Sequence, residues 1–222
     1  MLAIVQARMS SRRLPGKVLR PLSGSTILAR IHSRLRLCER LDSIVVATTM
    51  SKDDDPIVEF CRNSGITYYR GPLDDVASRL LDCAKSLGKT AFLRISGDSP
   101  LIDPLLVDQA IKCFDASQYD LVTNVQIRTF PKGQSVEIIS TEALNKVIVN
   151  FNDYDREHVT KYFYDHHLDF NIFNITNKAP LGDIQLSIDT LEDFKAVEYI
   201  LSLIGNDFTW QQAAALRLQY EQ

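Results

Sequence analysis

The fold is decided by two adjoining segments near the start of the chain: Leu2-Ala3-Ile4-Val5-Gln6 and Ala7-Arg8-Met9-Ser10-Ser11-Arg12-Arg13-Leu14-Pro15-Gly16-Lys17. The first segment is apolar enough to form a strand buried on both faces, which is typical of a parallel sheet. The second is rich in basic and hydroxyl side chains and contains a Pro-Gly turn signal. A buried strand that leads into such a turn is a candidate phosphate-binding loop. A solvated basic loop is the alternative that this stretch alone leaves open.

Composition is that of an ordinary globular protein. The 222 residues suit one large domain, residues 1–222, and 45% of them are apolar and 24% charged. A formal net charge of -3 gives no general attraction to nucleic acid or to an acidic membrane, so any anion site must be local. No apolar run reaches membrane-spanning length and residues 1–10 lack a signal-peptide pattern, so we expect a cytoplasmic protein.

The four cysteines are widely spaced and form no C-x-x-C pair. Cys61, Cys83 and Cys113 fall within helical patterns among apolar neighbours. This placement favours small buried side chains in a reducing compartment and argues against a zinc site.

Strand and helix patterns alternate from residue 2 to residue 123, which predicts an α/β fold. Such alternation is typical of a mostly parallel, Rossmann-like sheet between two helical layers, with right-handed crossovers. Ligands on these sheets lie at the carboxyl ends of the strands, where we expect the basic loop and Asp98. The predicted strands are Leu2–Gln6, Ser43–Thr48, Ile66–Tyr69, Thr90–Ile95 and Leu121–Thr123. The predicted helices start after Ser25 or Thr26, at Asp55-Pro56, after Asp74 or Asp75, and at Asp103-Pro104.

Residues 125–185 break this rhythm, and we expect them to form a small irregular arm that binds an acceptor and a second subunit, giving a homodimer. The end of the chain is again helical, with Thr209 and Gln212 as a capping box. Within the irregular part and just after it, the predicted strands are Val136–Ile139, Phe170–Asn174 and Gln185–Ile188, and the predicted helices are Thr141–Val149 and Asp155–His166.

Two aspartates follow apolar segments and could share one cation. Gly97-Asp98 ends the fourth predicted strand, and Asp189 follows Gln185–Ile188. Asp98 could instead cap the turn before Pro100, and Asp189 the helix that follows it. If the two converge, they would suit Mg²⁺, which takes a few carboxylates together with phosphate oxygens. A basic loop beside Mg²⁺ is equipment for phosphoryl or nucleotidyl transfer.

Two common nucleotide motifs are absent. The chain has no G-x-x-x-x-G-K-[ST], so a P-loop NTPase is not expected, and no G-x-G-x-x-G, so a dinucleotide cofactor is not expected.

Residues 7–19 resemble the signature of the sugar-acid cytidylyltransferases, which include the acylneuraminate and 3-deoxy-manno-octulosonate cytidylyltransferases. The resemblance is closest to the branch of the spore coat polysaccharide biosynthesis protein F. It implies a fold of the nucleotide-diphosphosugar transferase type, with CTP as the usual nucleotide. Further segments similar to that branch occur in order along almost the whole chain: Gly71–Arg79, Arg94–Asp103, Asp155–Thr160 and Ser187–Asp193.

The resemblance also implies roles for individual residues. Arg8, Lys17, Asp98 and Asp189 would be catalytic, and the two aspartates would ligate Mg²⁺. Family members commonly have glycine where this chain has Ser10, so a side chain there could alter the backbone of the loop. The residues that would bind the nucleotide are Ala7, Arg8, Ser11, Arg13, Lys17, Arg79, Gly97 and Asp98.

Three residues are candidates for binding the acceptor. Glu157 and His158 lie near the start of a predicted helix in one of the matching segments, where a structural ion pair or a helix-start carboxylate is the alternative. Glu137 is either an acceptor contact or a lone polar residue on a half-exposed strand.

The function predicted from these residues and this resemblance is Mg²⁺-dependent transfer of CMP from CTP to a 2-keto sugar acid or similar acceptor, with release of pyrophosphate, for surface polysaccharide biosynthesis. One alternative is sugar transfer from a nucleotide sugar, or use of another nucleotide or an alcohol-phosphate acceptor. Its metal motif could only be Asp53-Asp54-Asp55, which helix capping explains better. The other alternative, a non-catalytic nucleotide-sugar-binding protein, is supported only by Ser10.

Overall fold

The computed structural model describes residues 1–220 of the chain. The strands are β1 (Leu2–Gln6), β2 (Pro21–Leu22), β3 (Ser25–Thr26), β4 (Ser43–Thr49), β5 (Thr67–Gly71), β6 (Ala91–Ser96), β7 (Leu121–Thr123), β8 (Glu137–Ser140) and β9 (Ile172–Asn174). The α-helices are α1 (Ile27–Leu35), α2 (Asp55–Asn63), α3 (Val76–Ser86), α4 (Pro104–Cys113), α5 (Thr141–Val147), α6 (Asp153–His158), α7 (Lys161–Asp165), α8 (Leu191–Ile204) and α9 (Trp210–Tyr220).

Seven of the strands form one sheet in the order β5-β4-β1-β6-β8-β7-β9. Neighbouring strands are parallel except at β8, which runs antiparallel to both β6 and β7. The remaining two strands, β2 and β3, pair as a small antiparallel hairpin. The predicted α/β fold with a mostly parallel sheet is confirmed.

Helices cover both faces of the sheet, which explains why the sequence of the central strand β1 is apolar almost throughout. Its side chains alternate, with Ala3 and Val5 in one hydrophobic cluster and Leu2 and Ile4 in the other, all fully buried. The first cluster includes side chains of α1, α2, α4, α8 and α9, and the second includes side chains of α3, α5 and α7. The central strand is therefore enclosed from both sides.

The predicted elements up to residue 123 agree with the structure within about two residues, the usual uncertainty of an element end. Three helices begin with side-chain caps at predicted positions, namely Thr26, Asp75 and Asp103. Thr209 and Gln212 also bond to each other's backbone N–H as a capping box, at 3.4 and 2.9 Å.

Two predicted elements in the second half are wrong. Gln185–Ile188 is not a strand, because only Gln185 forms an isolated bridge, to Lys132, and the segment instead carries the chain toward Asp98. Asp155–His166 is not one helix, because a turn at Val159 divides it into α6 and α7. Residues 125–185 also contribute β8 and β9 to the main sheet, so this segment is continuous with the domain.

The cysteines are free thiols, and Cys38, Cys61 and Cys83 are buried while Cys113 is half-buried. No helix within residues 1–220 is both long enough and apolar enough to cross a membrane.

Candidate active site

The basic loop and Asp98 leave the sheet side by side. In the parallel pairing of β1 with β6, Gln6 lies opposite Ser96. The N–H of Gly97 donates to the carbonyl of Gln6 at 2.9 Å, and a Cβ on Gly97 would lie 2.6 Å from that oxygen. A residue with a side chain would push the two strand ends apart, so glycine is required here. Ala7, which is buried, continues β1 into the loop.

Backbone hydrogen bonds close the loop into a compact turn. The carbonyl of Met9 accepts from the N–H groups of Ser11 and Gly16, both at 2.9 Å. Gly16 has φ 69°, in the left-handed region that glycine adopts without strain. The hydroxyl oxygen of Ser11 accepts from the N–H of Leu14 at 3.4 Å, so in this state Ser11 stabilises the turn.

Ser10 and Arg12 are both exposed. Within residues 1–220, positive φ at a non-glycine residue occurs only at Ser23 and Val159. The serine that replaces the family's glycine at position 10 therefore causes no left-handed backbone strain.

Asp54 fastens the loop to the neighbouring strand β4. Its carboxylate accepts from the N–H of Met9 at 2.6 Å and from the hydroxyl of Thr49, and its side chain is only 1% exposed. Asp54 stands at the N-terminus of α2 without making a side-chain capping bond. The capping explanation of this aspartate is therefore wrong, because its carboxylate faces the basic loop.

Lys17 lies at the centre of the site. Its ammonium nitrogen Nζ donates to Asp98 Oδ2 at 3.1 Å, to Asp189 Oδ1 at 3.2 Å and to the carbonyl of Ile188 at 2.6 Å. The side chain is buried, with 8% of the residue exposed. The two aspartates that follow distant apolar segments thus converge on one cation.

Asp189 faces the loop because its neighbour supplies the helix cap. Thr190 is the N-cap residue of α8 and forms a capping box with Asp193, whose carboxylate also accepts from the N–H of Asp189 at 3.1 Å. The alternative in which Asp189 caps this helix is therefore wrong. Its carboxylate is free to pair with Arg13 at 2.9 Å as well as with Lys17.

Arg8 reaches the opposite side of the site and meets Glu157. The guanidinium and the carboxylate form a two-bond contact, at 2.6 and 3.3 Å, and both side chains are about one-third exposed. His158, the next residue, is exposed, and its ring centroid lies 4.2 Å from that of Tyr154. Glu157 therefore belongs to the same charged surface as the loop, whereas the ring contact described for His158 is with Tyr154.

Arg79 lies beneath this surface and is 2% exposed. It donates to the carbonyls of Pro72 and Leu73, while its Nε has no hydrogen-bond partner within the described chain. Burial lowers the pKa of the Arg79 guanidinium, and the nearby positive charge of Arg8 lowers it further. Arg79, which was predicted to bind the nucleotide, is thus next to the site, and its hydrogen bonds stabilise the segment before α3.

Glu137 lies in a fully buried strand, not a half-exposed one, and is 6% exposed. Its carboxylate pairs with Arg94 at 2.9 Å and accepts from the hydroxyls of Thr160 and Tyr164 at 2.7 and 2.6 Å. Both carboxylate oxygens of Glu137 thus accept from donors inside the protein. Direct contact of Glu137 with an acceptor stays a prediction.

The charged groups suit a divalent cation bound together with a triphosphate. Asp98 and Asp189 already share one cation, the ammonium of Lys17, and Mg²⁺ in proteins is commonly held by one or two carboxylates plus substrate phosphates. Among residues 1–220, no three His, Cys, Asp or Glu side chains form a group able to hold a metal by themselves. The donor set therefore fits Mg²⁺ whose remaining ligands come from the substrate and water.

Sequence reasoning missed three contributors to the site. Asp54 is the middle one of three consecutive aspartates, and their order does not show which faces inward. Ser99 donates to Asp98 Oδ1 at 3.1 Å, and Gln185 approaches Asp189 Oδ2 at 3.5 Å. Both stand close to a predicted ligand in the chain, which is the only signal that could have indicated them.

Comparison with known proteins agrees with this geometry. A family model described as cytidylyltransferase matches residues 2–219. The chain therefore belongs to the cytidylyltransferase family and is a nucleotidyltransferase.

Individual relatives match over nearly their full lengths. The chain is similar to the spore coat polysaccharide biosynthesis protein SpsF of Bacillus subtilis, with 30% identity in an alignment that covers 92% of this chain and 87% of the relative. It is 26% identical to the 8-amino-3,8-dideoxy-manno-octulosonate cytidylyltransferase of Shewanella frigidimarina in an alignment that covers 88% of this chain and 85% of the relative. A solved cytidylyltransferase structure from Leptospira borgpetersenii serovar Hardjo-bovis superposes with TM-score 0.93 at 30% identity, covering 99% of this chain and 94% of that one.

Proposed function

We propose that the protein transfers CMP from CTP to a sugar acid in the presence of Mg²⁺ and releases pyrophosphate. The observation that carries the proposal is the position of the Lys17 ammonium between the carboxylates of Asp98 and Asp189, beside the arginines of the loop. Membership in the cytidylyltransferase family supports CTP as the nucleotide. The names of several relatives, 3-deoxy-manno-octulosonate cytidylyltransferases and an amino-dideoxy form, support a sugar-acid acceptor. The relative from Bacillus subtilis supports a place in polysaccharide biosynthesis.

The ion pairs of the site would exchange partners when the substrates bind. Arg8, Arg13 and Lys17 now pair with Glu157, Asp189 and both aspartates, respectively. On binding, these three cations would turn to the triphosphate, and Asp98 and Asp189 would hold Mg²⁺. Asp98, Asp189 and the three cations then each retain an opposite charge, and of the paired groups only Glu157 loses its partner. Because the Glu157 side chain is about one-third exposed, water can solvate it, whereas a more deeply buried charge left unpaired would be strongly destabilising.

The reaction needs positioning and neutralisation of charge more than covalent participation of the protein. A hydroxyl of the acceptor attacks the α-phosphorus of CTP, and the bond to the β-phosphate breaks as pyrophosphate leaves. Bound Mg²⁺ supplies neutralisation of the phosphate oxygens. The basic side chains of the loop stabilise the charge that develops there, and loss of one preorganised donor of this kind costs about 2.7–4 kcal/mol.

We also propose that residues 125–185 contribute both acceptor contacts and a homodimer contact. Large apolar side chains in this segment are exposed, including Leu168 at 89% and Val149 at 77%. Burial of such side chains against a second copy would remove apolar surface from water. Light scattering coupled to size exclusion tests this, and a strictly monomeric protein at micromolar concentration would contradict the dimer.

The alternative functions have no specific observation in their favour. Asp54 is bonded to Met9 and Asp55 pairs with Arg70 at 2.7 Å, so neither carboxylate is directed toward a shared metal. Ser10 is exposed and unstrained, which removes the reason to expect a non-catalytic protein.

Release of pyrophosphate from CTP, measured with Mg²⁺ and a panel of sugar acids, tests the proposed function. We expect turnover with CTP and at least one 2-keto sugar acid, and little with ATP, GTP or UTP. The Asp98→Ala variant should remain folded and lose turnover, whereas Asp183→Ala, which removes an exposed carboxylate from a nearby segment, should keep it. Near-normal release by Asp98→Ala would refute the metal assignment, and preference for another nucleotide would refute CTP.

A further inference from the structure

A backbone turn of rare geometry separates α6 from α7. Val159 has φ 50° and ψ -65°, and the N–H of Thr160 donates to the carbonyl of His158 at 2.6 Å. A bond across a single central residue with positive φ defines the strained form of the γ-turn. Positive φ is especially unfavourable for a β-branched residue such as valine. Because Val159 is fully buried, the surrounding structure must hold it in this conformation.

The surrounding structure that does so centres on Glu137. The hydroxyl of Thr160, the residue directly after the turn, donates to Glu137 Oε1 at 2.7 Å, and the hydroxyl of Tyr164 donates to the same oxygen at 2.6 Å. Arg94 donates to the other oxygen, Oε2, at 2.9 Å. Burial raises the pKa of Tyr164, and the negative charge of Glu137 raises it further, so this phenol stays protonated and remains a donor.

The same network connects the turn to the basic loop on two sides. Arg94 donates through Nε to the side-chain oxygen of Gln6, the last residue of β1, at 2.9 Å. Glu157, two residues before Val159, holds Arg8 in the loop itself. The γ-turn is therefore connected to the basic loop both through Arg94 and Gln6 and through Glu157 and Arg8.

We propose that this turn positions the acceptor, and that Glu137 is a positioning residue that acts through Thr160 and does not touch the substrate. The inference rests on the proposed function, which supplies the sugar acid as the acceptor. An uninterrupted helix would continue past residue 158 and carry Thr160 and Tyr164 along one regular spiral. The turn instead ends α6 directly after Glu157 and His158, so that Glu157 pairs with Arg8 and His158 is exposed.

Substitutions at Thr160 separate positioning from simple stability. Thr160→Val keeps the shape and removes the hydroxyl, while Thr160→Ser keeps the hydroxyl. We expect Thr160→Val to raise the KM for the sugar acid by about tenfold or more, the loss typical of a hydrogen bond to a charged group. The Kd for CTP with Mg²⁺, measured by calorimetry, should remain close to that of the unaltered protein. Thr160→Ser should restore the KM, and Glu137→Gln should resemble Thr160→Val.

Amide hydrogen exchange gives a measurement that does not depend on turnover. In Thr160→Val and Glu137→Gln, exchange should accelerate by about tenfold at residues 157–161 if one charged hydrogen bond holds the turn closed. The amides of α3 should be unaffected. Ser140→Ala, which removes the side-chain cap of α5 at the end of the same strand as Glu137, controls for a general loss of stability and should leave residues 157–161 protected.

Each outcome decides the inference. An unchanged KM for the acceptor in Thr160→Val, or equal weakening of CTP and acceptor binding, would overturn the positioning role. If the unaltered protein uses no sugar acid at all, the proposed function fails, and exchange at residues 157–161 still decides whether Glu137 holds the turn. Unchanged exchange in both variants would then overturn that role.

Discussion

The ammonium nitrogen of Lys17 lies 3.1 Å from Oδ2 of Asp98, although the two residues are 81 positions apart in the chain. The same nitrogen bonds to Asp189 and to the carbonyl of Ile188, so one side chain joins the basic loop, the end of β6 and the segment before α8. This cation between two carboxylates holds Asp98 and Asp189 close together. In the proposed function, the same residues would serve both the metal and the triphosphate.

Lys17→Met should disable catalysis by removing this cation. We expect kcat/KM for pyrophosphate release to fall by about 10²–10³, the cost of losing one preorganised charged donor. Loss of one partner from a buried ion pair can also cost about 3–5 kcal/mol of stability, so urea unfolding must accompany the assay. Arg12→Met is the matched control, since it removes an exposed cation from the same loop and should change neither quantity appreciably. Equal effects of the two substitutions would contradict the role assigned to Lys17.

Glu157→Gln should have opposite effects on the two substrates. In the proposed exchange of partners Arg8 leaves Glu157 for the triphosphate, so loss of the carboxylate should tighten CTP binding. Because the pair is about one-third exposed, the gain should be modest, about 1.4-fold to fivefold in Kd for an interaction worth about 0.2–1 kcal/mol. Turnover of the acceptor should decrease. Calorimetry with Mg²⁺ and CTP measures the first effect, and weaker CTP binding in this variant would show that Arg8 does not exchange partners.

Asp54→Ala should destabilise the conformation of the basic loop while leaving the basic side chains of the loop in place. The lost bonds to Met9 and Thr49 involve a buried charged acceptor, so we expect the free energy of unfolding to fall by about 1.5–3 kcal/mol, together with a higher KM for CTP. Asp53→Ala, at an exposed position next to it, should leave both unchanged. Urea denaturation and CTP titration of the two variants provide the comparison. Similar results for both would mean that Asp54 does not anchor the loop.

The buried thiols predict a loss of stability at alkaline pH. Burial raises the pKa of Cys61 to about 11 and of Cys38 and Cys83 to about 12. Unfolded thiols ionise near pH 8.5, so their contribution to stability is complete below that pH and is lost as the pH rises toward 11–12. Urea unfolding should therefore give a lower free energy of unfolding at pH 10 than at pH 8.

At pH 8 the native protein should react slowly with a disulfide reagent, and the half-buried Cys113 should react first. Rapid reaction of all four thiols would contradict this.

The first half of the fold could be predicted from the sequence because its signals are local. Most of the predicted strands up to residue 123 are short runs rich in apolar residues, although the small β2–β3 hairpin was not predicted. Thr26, Asp75 and Asp103 cap the helices at the places that their residue types favour. The second half was less predictable, since its irregular segments depend on distant partners. Ile188, for example, bonds through its N–H to the carbonyl of Asp98, so its apolar neighbours form no ladder.

The turn at Val159 is a second feature that the local sequence does not predict. Nothing in the residues from Asp155 to His166 requires a turn, and a helical pattern is the natural interpretation. The turn exists because Thr160 and Tyr164 bond to Glu137, which belongs to a strand more than twenty residues earlier. A strained backbone conformation is stable only where such tertiary contacts outweigh its cost.

The sequence by itself determined the α/β class, the buried central strand, the basic loop and the two aspartates, because hydrophobic pattern, capping and motif spacing are properties of neighbouring residues. Only the tertiary structure decided that Lys17 joins Asp98 to Asp189, that Asp54 anchors the loop, and that Glu137 is buried behind the turn at Val159. These relationships depend on strand register and on hydrogen bonds between segments far apart in the chain. Such contacts form only when burial of the core brings the segments together.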